Sequence, residues 1–443
     1  MLPWINQRKS RAHTYLDIIM NKMNVSRRQF IKSSSALAAG AMVAPYVITS
    51  HAAPVSELKI RIGLVGCGGR GIGATWDALN AAKEHGIKDI KVVAVGDVFE
   101  ERAKNFANTD DPRIKGATPC FGFDNYKQVI DNPEVNYVIL ATPPGFRAQH
   151  FAYAVEKGKD IFTEKPVCVD SNTARVFLKA AEESVKKGLK VVGGTQRRHQ
   201  QGYVETIDQI KQGVIGKIID MRCYWNQGAI WNNPWDINKS DMENQLRNWY
   251  HYLWLCGDHI VEQHVHNVDV CNWIKGEHPV RAYGMGGREA LKGPGQIWDH
   301  FAVEYEYADG TRMYSQCRQI DNTDSNVSEY VVGTNGSSNP SGNITFNTGK
   351  VWRAKQGRNP YVQEHMDLMT AIATNNKKVN EAKTVAESCI TAIMGRESAY
   401  SGRKVTWEDI IEGDQNLVPD NLVDMNSPVK PWATPCPNTY ELF

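Results

Sequence analysis

Short apolar runs and helical stretches alternate along the chain from residue 58 to about residue 170. The runs are LKIRIGLV, IKVVAVGDV, VNYVILATPP and DIFTEKPV, and stretches such as GFRAQHFAYAVEKG between them have the apolar spacing of helices. Short buried strands that alternate with helices predict βαβ units, and therefore a parallel sheet. We expect a doubly wound α/β domain over residues 58–170.

A different pattern follows in the second half of the chain. FAVEYEYADGTRMYSQCRQ alternates apolar and polar residues on both sides of a turn at Asp309 and Gly310. Such alternation is typical of strands with one buried face, and a short turn joins them as antiparallel neighbours. The last 28 residues, 416–443, are rich in Pro and Asn. We expect them to form a tail that wraps the surface.

The first 52 residues have the features of an export signal. SRRQFIK precedes a run of small and apolar residues, ALAAGAMVAPYVIT, which SHAAP follows. Arg27 and Arg28 have the place of the twin-arginine pair that directs folded proteins across the inner membrane. We predict cleavage just before Ala53 and a periplasmic location, with Met23 as an alternative start. A buried helix is the alternative interpretation.

Charge and cysteine content exclude other classes of protein. The chain has 443 residues, a formal net charge of +2 and no basic run interleaved with aromatic residues. Nucleic acid is therefore not an expected partner. The nine cysteines form no CxxC pair, so we expect reduced, structural thiols and neither a zinc ribbon nor a disulfide framework.

A glycine-rich turn follows the first predicted strand. Gly66, Gly68 and Gly71 form a GxGxxG motif that opens a predicted helix. Such a turn lets backbone amides approach a pyrophosphate at the helix N-terminus. The next strand ends in Asp97, whose carboxylate is placed to accept both ribose hydroxyls and to repel a 2′-phosphate. The pattern predicts a dinucleotide site that favours NAD over NADP.

Residues 257–270, GDHIVEQHVHNVDV, concentrate three histidines with acidic residues. On a regular helix one set of polar side chains and a tryptophan would share a face, and His264 would point away from it. That set is His259, Glu262, His266, Asp269 and Trp273. Three interpretations follow from the residues alone: a metal site, an exposed polar face, or a catalytic helix that works by proton transfer.

The motifs GLVGCGGRG, ATPP at 141–144 and GKDIFTEKPV, in this order, resemble those of the Gfo/Idh/MocA oxidoreductases. The resemblance covers nearly the whole chain after the signal. It implies an NAD-binding Rossmann domain to about residue 170. It also implies a second α+β domain over 171–415, with an open-faced, mostly antiparallel sheet that supplies the sugar site and forms a homodimer or homotetramer.

The resemblance also implies cofactor and catalytic residues. It places Thr142, Pro143, Glu164 and Lys165 at the cofactor. In the segment EQHVHNVD, Glu262 stands where the family has Asp, His264 where it has Gly, and His266 where it has its catalytic His. We expect His266 to be the general base, Glu262 to orient it or stabilise its charge, and Lys165 to stabilise the alkoxide. No metal ligand is then required.

Substrate residues are expected in VVGGTQRRHQQGY, which resembles a pocket-lining segment of the family, and in an aromatic-rich region beyond it. A solvated basic turn is the alternative for the first segment, and core packing is the alternative for most of the aromatic residues. Aromatic faces beside amide groups suit a sugar. The expected contacts are Arg197, Arg198, His199, Tyr203 and Trp231.

Together these features predict an NAD-dependent enzyme that keeps its cofactor bound, because the periplasm offers no nicotinamide pool. We expect a sugar or glycoside dehydrogenase that oxidises a secondary ring hydroxyl. One alternative is a glycosidase that oxidises C3 transiently, eliminates the aglycone, adds water and returns the hydride. The other alternative is a sugar-binding protein without catalysis, which the joint presence of Lys165 and His266 argues against.

Overall fold

The computed structural model describes residues 54–429 and 433–442. The predicted signal region, 1–52, with Arg27 and Arg28, lies outside the described residues. Within the part that the model describes, no helix has the length and apolar character needed to cross a bilayer.

The first sheet has six parallel strands in the order β3-β2-β1-β4-β5-β6. The predicted doubly wound sheet is therefore confirmed. It continues past the expected boundary at residue 170, because a sixth strand pairs with β5 after one more helix. The strands are β1 (Lys59–Val65), β2 (Asp89–Asp97), β3 (Thr118–Phe121), β4 (Tyr137–Leu140), β5 (Asp160–Thr163) and β6 (Val191–Gly193).

Helices cover both faces of this sheet, which explains why its central strands are apolar without alternation. All four residues of β4, YVIL, are buried. A strand enclosed on both faces buries every side chain, so it reads as a continuous apolar run. The helices that alternate with these strands are α1 (Gly69–Glu84), α2 (Glu100–Ala107), α3 (Asn125–Asp131), α4 (Pro144–Glu156) and α5 (Ser171–Lys187).

The second sheet has nine strands in the order β14-β13-β12-β11-β7-β10-β9-β8-β15. Its neighbours are antiparallel except for β7 and β10, so the predicted mostly antiparallel sheet is also confirmed. The strands are β7 (Ile218–Gln227), β8 (Arg281–Gly287), β9 (His300–Glu306), β10 (Arg312–Gln319), β11 (Asn326–Gly333), β12 (Gly336–Asn339), β13 (Asn343–Phe346), β14 (Val351–Arg353) and β15 (Val405–Thr406).

One face of this sheet is packed on helices and the other is open. Buried and less buried residues alternate along β9 and β10, as expected for a sheet with one covered face. The remaining helices are α6 (Gln201–Lys211), α7 (Asp241–Arg247), α8 (Leu253–Cys256), α9 (His259–Glu262), α10 (Val265–Lys275), α11 (Pro360–Ala373), α12 (Ala382–Ser401) and α13 (Trp407–Glu412), with 3-10 turns at Val55–Glu57, Gln196–His199 and Trp249–His251.

Helix α11 returns from the second sheet to the first. Met366 and Met369 pack in the same buried cluster as Ile62 and Leu64 of β1. The helix therefore belongs to the nucleotide-binding half, although it lies within the 171–415 range expected for the second domain. Its apolar face packs against α1, and no local pattern in the sequence predicts this contact.

The C-terminal tail, 416–443, is attached more firmly than a segment that only lies on the surface. Leu417 is buried, Tyr440 donates a hydrogen bond to Glu397 at 2.6 Å, and the indole of Trp298 donates to the carbonyl of Pro435 at 3.0 Å. Parts of the expected surface segment, 416–443, thus pack against the core of the second domain.

The turn between β1 and α1 depends on two of its glycines. Gly66 has a φ of 101°, a conformation that side chains disfavour. A Cβ on Gly71 would lie 1.9 Å from the carbonyl oxygen of Gly66, whereas a Cβ on Gly68 would meet nothing within 4 Å. Gly71 is required for packing of the turn, and Gly68 leaves space above the helix N-terminus.

We therefore predict very different stability effects for two alanine variants of this motif. Gly71→Ala should lower the free energy of unfolding by about 1–3 kcal/mol or more, because the new methyl group overlaps backbone. Gly68→Ala should change it by no more than about 0.5 kcal/mol. Chemical denaturation of the nucleotide-free protein measures both, and equal effects of the two variants would contradict this account of the turn.

Candidate active site

A cavity of about 750 Å³ opens at the carboxyl ends of the strands of the first sheet. This is the edge at which open α/β sheets bind ligands, and its volume lies in the range of small-molecule sites. Most of the predicted cofactor and catalytic residues line it, and so does Trp231, which is predicted to contact substrate. The cofactor and catalytic residues are Gly66, Gly68, Asp97, Thr142, Pro143, Glu164, Lys165, Glu262 and His266.

The nucleotide half of the cavity is built from the glycine turn and Asp97. Asp97 is buried, and its carboxylate accepts hydrogen bonds from the amides of Cys67 at 2.8 Å and Phe99 at 3.0 Å. Gly68 caps α1 without a side-chain acceptor, so amides at this helix end face the cavity. Uncapped amides fit a pyrophosphate and a buried carboxylate fits a ribose, so these residues suit a dinucleotide.

A buried arginine ties the turn after β4 to the turn after β5. The guanidinium of Arg147 donates to the carbonyl of Pro166 at 2.6 Å and also to the carbonyl of Thr142. Thr142 and Pro143 therefore face the cavity from a fixed position. Neither carbonyl is left unsatisfied in the interior.

Glu164 contacts the start of α1, next to the glycine turn, through Arg70. Its Oε1 accepts a hydrogen bond from Nε of Arg70 at 2.5 Å, and Arg70 lies in the first turn of α1. The same guanidinium pairs with Asp77 at 3.2 Å and with Glu364 at 3.3 Å. Glu164 thus connects the end of β5 to the start of α1.

Lys165 forms the central ion pair of the cavity. Its Nζ lies 3.0 Å from Oε1 of Glu262 and 2.5 Å from the carbonyl oxygen of the same residue. Both side chains are more than nine-tenths buried. Burial raises the pKa of Glu262, and Lys165 opposes that rise. The pair brings the end of β5 into contact with the helical segment after residue 258.

That segment is not one regular helix, which corrects the expected shared face. Helix α9 ends at Glu262, and α10 begins at Val265. The backbone between them is irregular, since the amide of His264 bonds to the carbonyl of His259. The break separates the five residues expected on one face, and of these Glu262 and His266 line the cavity.

His266 faces the cavity as a neutral imidazole. Its ring stacks on Trp225, with centroids 5.7 Å apart and planes 24° apart. Burial lowers its pKa well below the usual value, and the positive charges of Lys165 and Arg197 lower it further. Its Nδ1 is buried without a hydrogen-bond partner among the described residues. These properties suit a proton acceptor.

Glu262 does not form the expected pair with His266. Its Oε1 bonds to Lys165, and its Oε2 is buried without a partner in the described part of the chain. The carboxylate therefore orients the lysine and not the imidazole. The longer side chain of Glu, compared with the Asp of the family pattern, accompanies this different partner.

The other two histidines of the segment lie away from the cavity. His259 contacts Asp258 and the carbonyl of Trp298, each at 3.1 Å, and Nε2 of His264 lies 2.7 Å from the hydroxyl of Ser315. His259, Glu262 and His266 therefore do not converge on one point. Within 54–429 and 433–442, no cluster of three or more His, Cys, Asp or Glu side chains is arranged to hold a metal ion.

Two of the expected substrate residues are engaged inside the protein. Nη1 of Arg197 lies 2.5 Å from Oε1 of Glu329, and the hydroxyl of Tyr203 donates to Oε2 of the same carboxylate at 2.9 Å. Neither residue lines the cavity. A buried glutamate satisfies both polar groups, so the structure does not bring these two residues to the cavity.

The next two expected substrate residues are also engaged. Arg198 binds Asp269 through Nε at 2.9 Å and Nη2 at 2.8 Å, and His199 contacts Asp367 at 2.7 Å and Glu381 at 3.3 Å. Burial alone lowers the pKa of His199, but these carboxylates raise it to about 10. Both side chains are paired with carboxylates, and neither lines the cavity.

Four further residues line the cavity. Gln196 belongs to the segment VVGGTQRRHQQGY, and Trp225 belongs to the aromatic-rich region, in both of which we expect substrate contacts. Arg70, at a variable position of the glycine motif, and Tyr361, in α11, have no clear signal in the sequence, and only the fold brings them there.

The fold and the site together define a two-domain, dinucleotide-dependent oxidoreductase. Family models match both halves of the chain: the oxidoreductase family with an NAD-binding Rossmann fold over residues 60–191, and the GFO/IDH/MocA C-terminal domain over residues 203–339. The chain belongs to the Gfo/Idh/MocA family of oxidoreductases, and its cofactor is NAD.

Similar proteins include inositol dehydrogenases. Inositol 2-dehydrogenase 4 of Saccharopolyspora erythraea is 26% identical over 58% of this chain and 66% of its own length. The scyllo-inositol 2-dehydrogenase (NAD(+)) of Bacillus subtilis is 31% identical over 39% of this chain, and the match spans 46% of its own length. The alignments thus cover about half to two thirds of these relatives.

Solved structures share the fold at low sequence identity. A levoglucosan dehydrogenase in complex with NADH and levoglucosan superposes with a TM-score of 0.63 at 17% identity, over 79% of this chain and 99% of the other. An aldose-aldose oxidoreductase from Caulobacter crescentus gives a TM-score of 0.62 at 17% identity, over 79% and 100%.

The buried pair of Lys165 and Glu262 predicts a pH-dependent stability defect. Lys165→Met should cost about 3–5 kcal/mol at pH 8, because it leaves a buried carboxylate without its cation. When the pKa of a carboxyl group is higher in the folded than in the unfolded protein, the folded protein loses stability as pH rises. The defect should therefore shrink toward pH 5. Denaturant titrations at both pH values measure it.

The matched control is the double variant Lys165→Met with Glu262→Gln. Because no charge remains in the pair, its stability should exceed that of the single variant at pH 8 and depend little on pH. A single variant that is equally destabilised at both pH values would contradict the assigned pair.

Proposed function

We propose that the protein is an NAD-dependent dehydrogenase that oxidises a secondary ring hydroxyl of a sugar or glycoside. One observation carries the proposal. A neutral buried imidazole, His266, and a buried ammonium group, Lys165, line the same cavity as the glycine turn and Asp97. A proton acceptor and a fixed positive charge beside a nicotinamide site are what alcohol oxidation requires.

The proposed chemistry divides between proton and hydride. NAD, when bound, supplies a nicotinamide that takes up hydride. His266 accepts the hydroxyl proton, since its imidazole is neutral and lines the cavity. Stacking on Trp225 fixes the plane of the ring, so the acceptor is positioned before substrate arrives.

Lys165 stabilises the oxygen that becomes negative as the proton leaves. Glu262 holds the ammonium group through its carbonyl and its carboxylate, which leaves one further N–H donor for the substrate oxygen. Because both groups are buried, this donor acts where water screens little and needs no reorientation during the reaction.

The walls beside these groups fit a neutral, hydroxyl-rich ring. Trp225, Trp231, Trp249, Gln196 and Asn233 line the cavity, and aromatic faces with amide groups bind the apolar faces and hydroxyl edges of sugars. The similar proteins include inositol and levoglucosan dehydrogenases, whose names refer to polyhydroxylated rings. The proposal assigns a substrate of this class to the present chain.

A glycosidase cycle is a second candidate, and one observation favours it. Transient oxidation with elimination of an aglycone requires a second proton-transfer group. Glu262 has a pKa raised by burial and a carboxylate oxygen without a described partner, so it is suited to that role. Trp231, which is 43% exposed at the cavity, offers a surface for an aglycone.

We further propose that the enzyme works in the periplasm with its cofactor retained. The twin-arginine pattern at Arg27 and Arg28 is the basis for export in a folded, loaded state.

A homo-oligomer formed through the open sheet face is also proposed. Tyr283, Tyr314 and Tyr330 are exposed in one row across β8, β10 and β11, and Met285 lies beside them.

The spectrum of the bound nicotinamide tests the proposed function. Purified protein is mixed with a panel of sugars and aryl glycosides, and near-ultraviolet absorbance and released products are followed in the same samples. We expect lasting reduction of the bound nicotinamide by one class of neutral sugar. Aglycone release without lasting reduction would support the glycosidase cycle, and the absence of both would contradict each proposal.

Alanine variants test the two catalytic assignments. His266→Ala and Lys165→Ala should each lower turnover by about 10²- to 10⁴-fold while nucleotide stays bound, because each removes a group that acts on the reacting oxygen. His264→Ala is the matched control and should have a milder effect on turnover, since its imidazole bonds to Ser315 away from the cavity. Near-wild-type turnover of His266→Ala would contradict the assigned base.

A further inference from the structure

An arginine from the second domain reaches the nucleotide half of the cavity. Arg247 is the last residue of α7, and its guanidinium carbon lies 4.1 Å from the ring centroid of Phe99. Its Nη2 lies 3.0 Å from Oε1 of Glu101, and its Nε lies 2.8 Å from Oε1 of Glu243. Phe99 and Glu101 lie two and four residues after Asp97, so this contact joins α7 to the ribose end of the nucleotide site.

The segment that carries Arg247 is held by its own amide groups. Asn248 accepts from the amide of Asn233 at 2.8 Å and donates back to its carbonyl at 3.0 Å. Asn244 donates to the carbonyl of Asp236 at 2.8 Å, and Ser240 caps α7. These bonds fold residues 233–248 into one unit, so Arg247 is presented from a defined element.

The surrounding wall suits a planar base. Phe99, Arg102, Leu246 and Arg247 line the cavity together with Asp97. The guanidinium of Arg102 also lies over the ring of Phe99, at 4.7 Å from its centroid. Guanidinium planes and phenyl rings stack on flat aromatic groups, and a carboxylate that binds ribose leaves the attached base just beyond it.

Arg247 has a hydrogen-bond donor available for such a ligand. Its Nε and Nη2 are engaged, whereas Nη1 makes no hydrogen bond to any residue in the described part of the chain. The pair with Glu101 is partly exposed, with 30% of the arginine side chain and 54% of the glutamate accessible. Exposed pairs of this kind are weak by themselves. A ligand that contacts both domains would therefore contribute to keeping them together.

We propose that Arg247 is a nucleotide-binding residue supplied by the second domain. Its guanidinium, which has one face on the ring of Phe99, stacks its other face on the adenine of the dinucleotide, and its bond to Glu101 closes α7 over the adenosine half. This inference rests on the proposed retention of the cofactor and names the group that retains it at the end remote from the chemistry.

The dissociation rate of NADH from the loaded enzyme tests the proposal. Fluorescence of bound NADH is followed after mixing with excess NAD. Arg247→Ala should release NADH about tenfold faster, because a stacked guanidinium contributes roughly that factor. Arg247→Lys, which keeps the charge but not the plane, should also be faster. Glu101→Gln should have a smaller effect. Arg353→Ala, an exposed arginine on β14, is the matched control and should not differ from the wild type.

Two fragments of the cofactor separate a contact with adenosine from general loosening. Competition with ADP-ribose should weaken about tenfold in Arg247→Ala, while competition with nicotinamide mononucleotide should be unchanged. A release rate within about twofold of wild type, or equal weakening of both fragments, would overturn the proposal. If Arg247→Ala does not fold, Arg247→Lys and Glu101→Gln give the same decision.

The same measurements are independent of the proposed reaction. If no sugar reduces the bound nicotinamide but Arg247→Ala still releases NADH faster, the dehydrogenase proposal fails and the assignment of Arg247 stands. If sugars reduce the nicotinamide and the release rate is unchanged, the assignment of Arg247 fails alone.

Discussion

The ion pair between Lys165 and Glu262 is the contact on which the site depends. It joins the carboxyl end of β5 to the end of α9, at 3.0 Å and almost wholly out of water. Two buried charges are tolerated only when each neutralises the other and further hydrogen bonds complete the geometry. The second bond, from Lys165 to the carbonyl of Glu262, meets that condition and positions the residues on both sides of the cavity.

The pair in turn depends on a buried network beneath it. The guanidinium of Arg396 in α12 donates to the carbonyl of Val169 at 2.7 Å and to the carbonyl of Gly257 at 2.9 Å. The first carbonyl follows Lys165 by four residues, and the second precedes Glu262 by five. Asp258 adopts a φ of 76° there, and its carboxylate accepts from the amide of Trp298. Helix α12 thus fixes both segments that carry the ion pair.

Local patterns indicate most of the residues that line the nucleotide half of the cavity, whereas most of the residues predicted to contact substrate do not line it. Gly66 and Gly71 act through the backbone geometry of one short turn, and Asp97 is the acidic end of the next strand. Arg197 and His199 are different, because their roles depend on partners far along the chain: Glu329 pairs with the first, and Glu381 and Asp367 pair with the second. The sequence around a polar side chain does not indicate whether that side chain pairs with a buried carboxylate in the folded protein. The helix break after Glu262 also depends on tertiary contacts, since the apolar spacing of the sequence continues through it.

Neutralisation of buried charge also determines where the cavity can attract an anion. Beneath the glycine turn, Arg70 pairs with Glu164 and Glu364, and burial together with the nearby Glu164 raises the pKa of Glu364 well above its usual value. The charge of Arg70 is thus paired with the carboxyl groups of Asp77, Glu164 and Glu364, just as that of Lys165 is paired with Glu262. The uncapped amides at the start of α1 are then left to attract the pyrophosphate. The reacting end, whose charges are paired, suits a neutral substrate. One cavity can in this way hold an anionic cofactor at one end and an uncharged ring at the other.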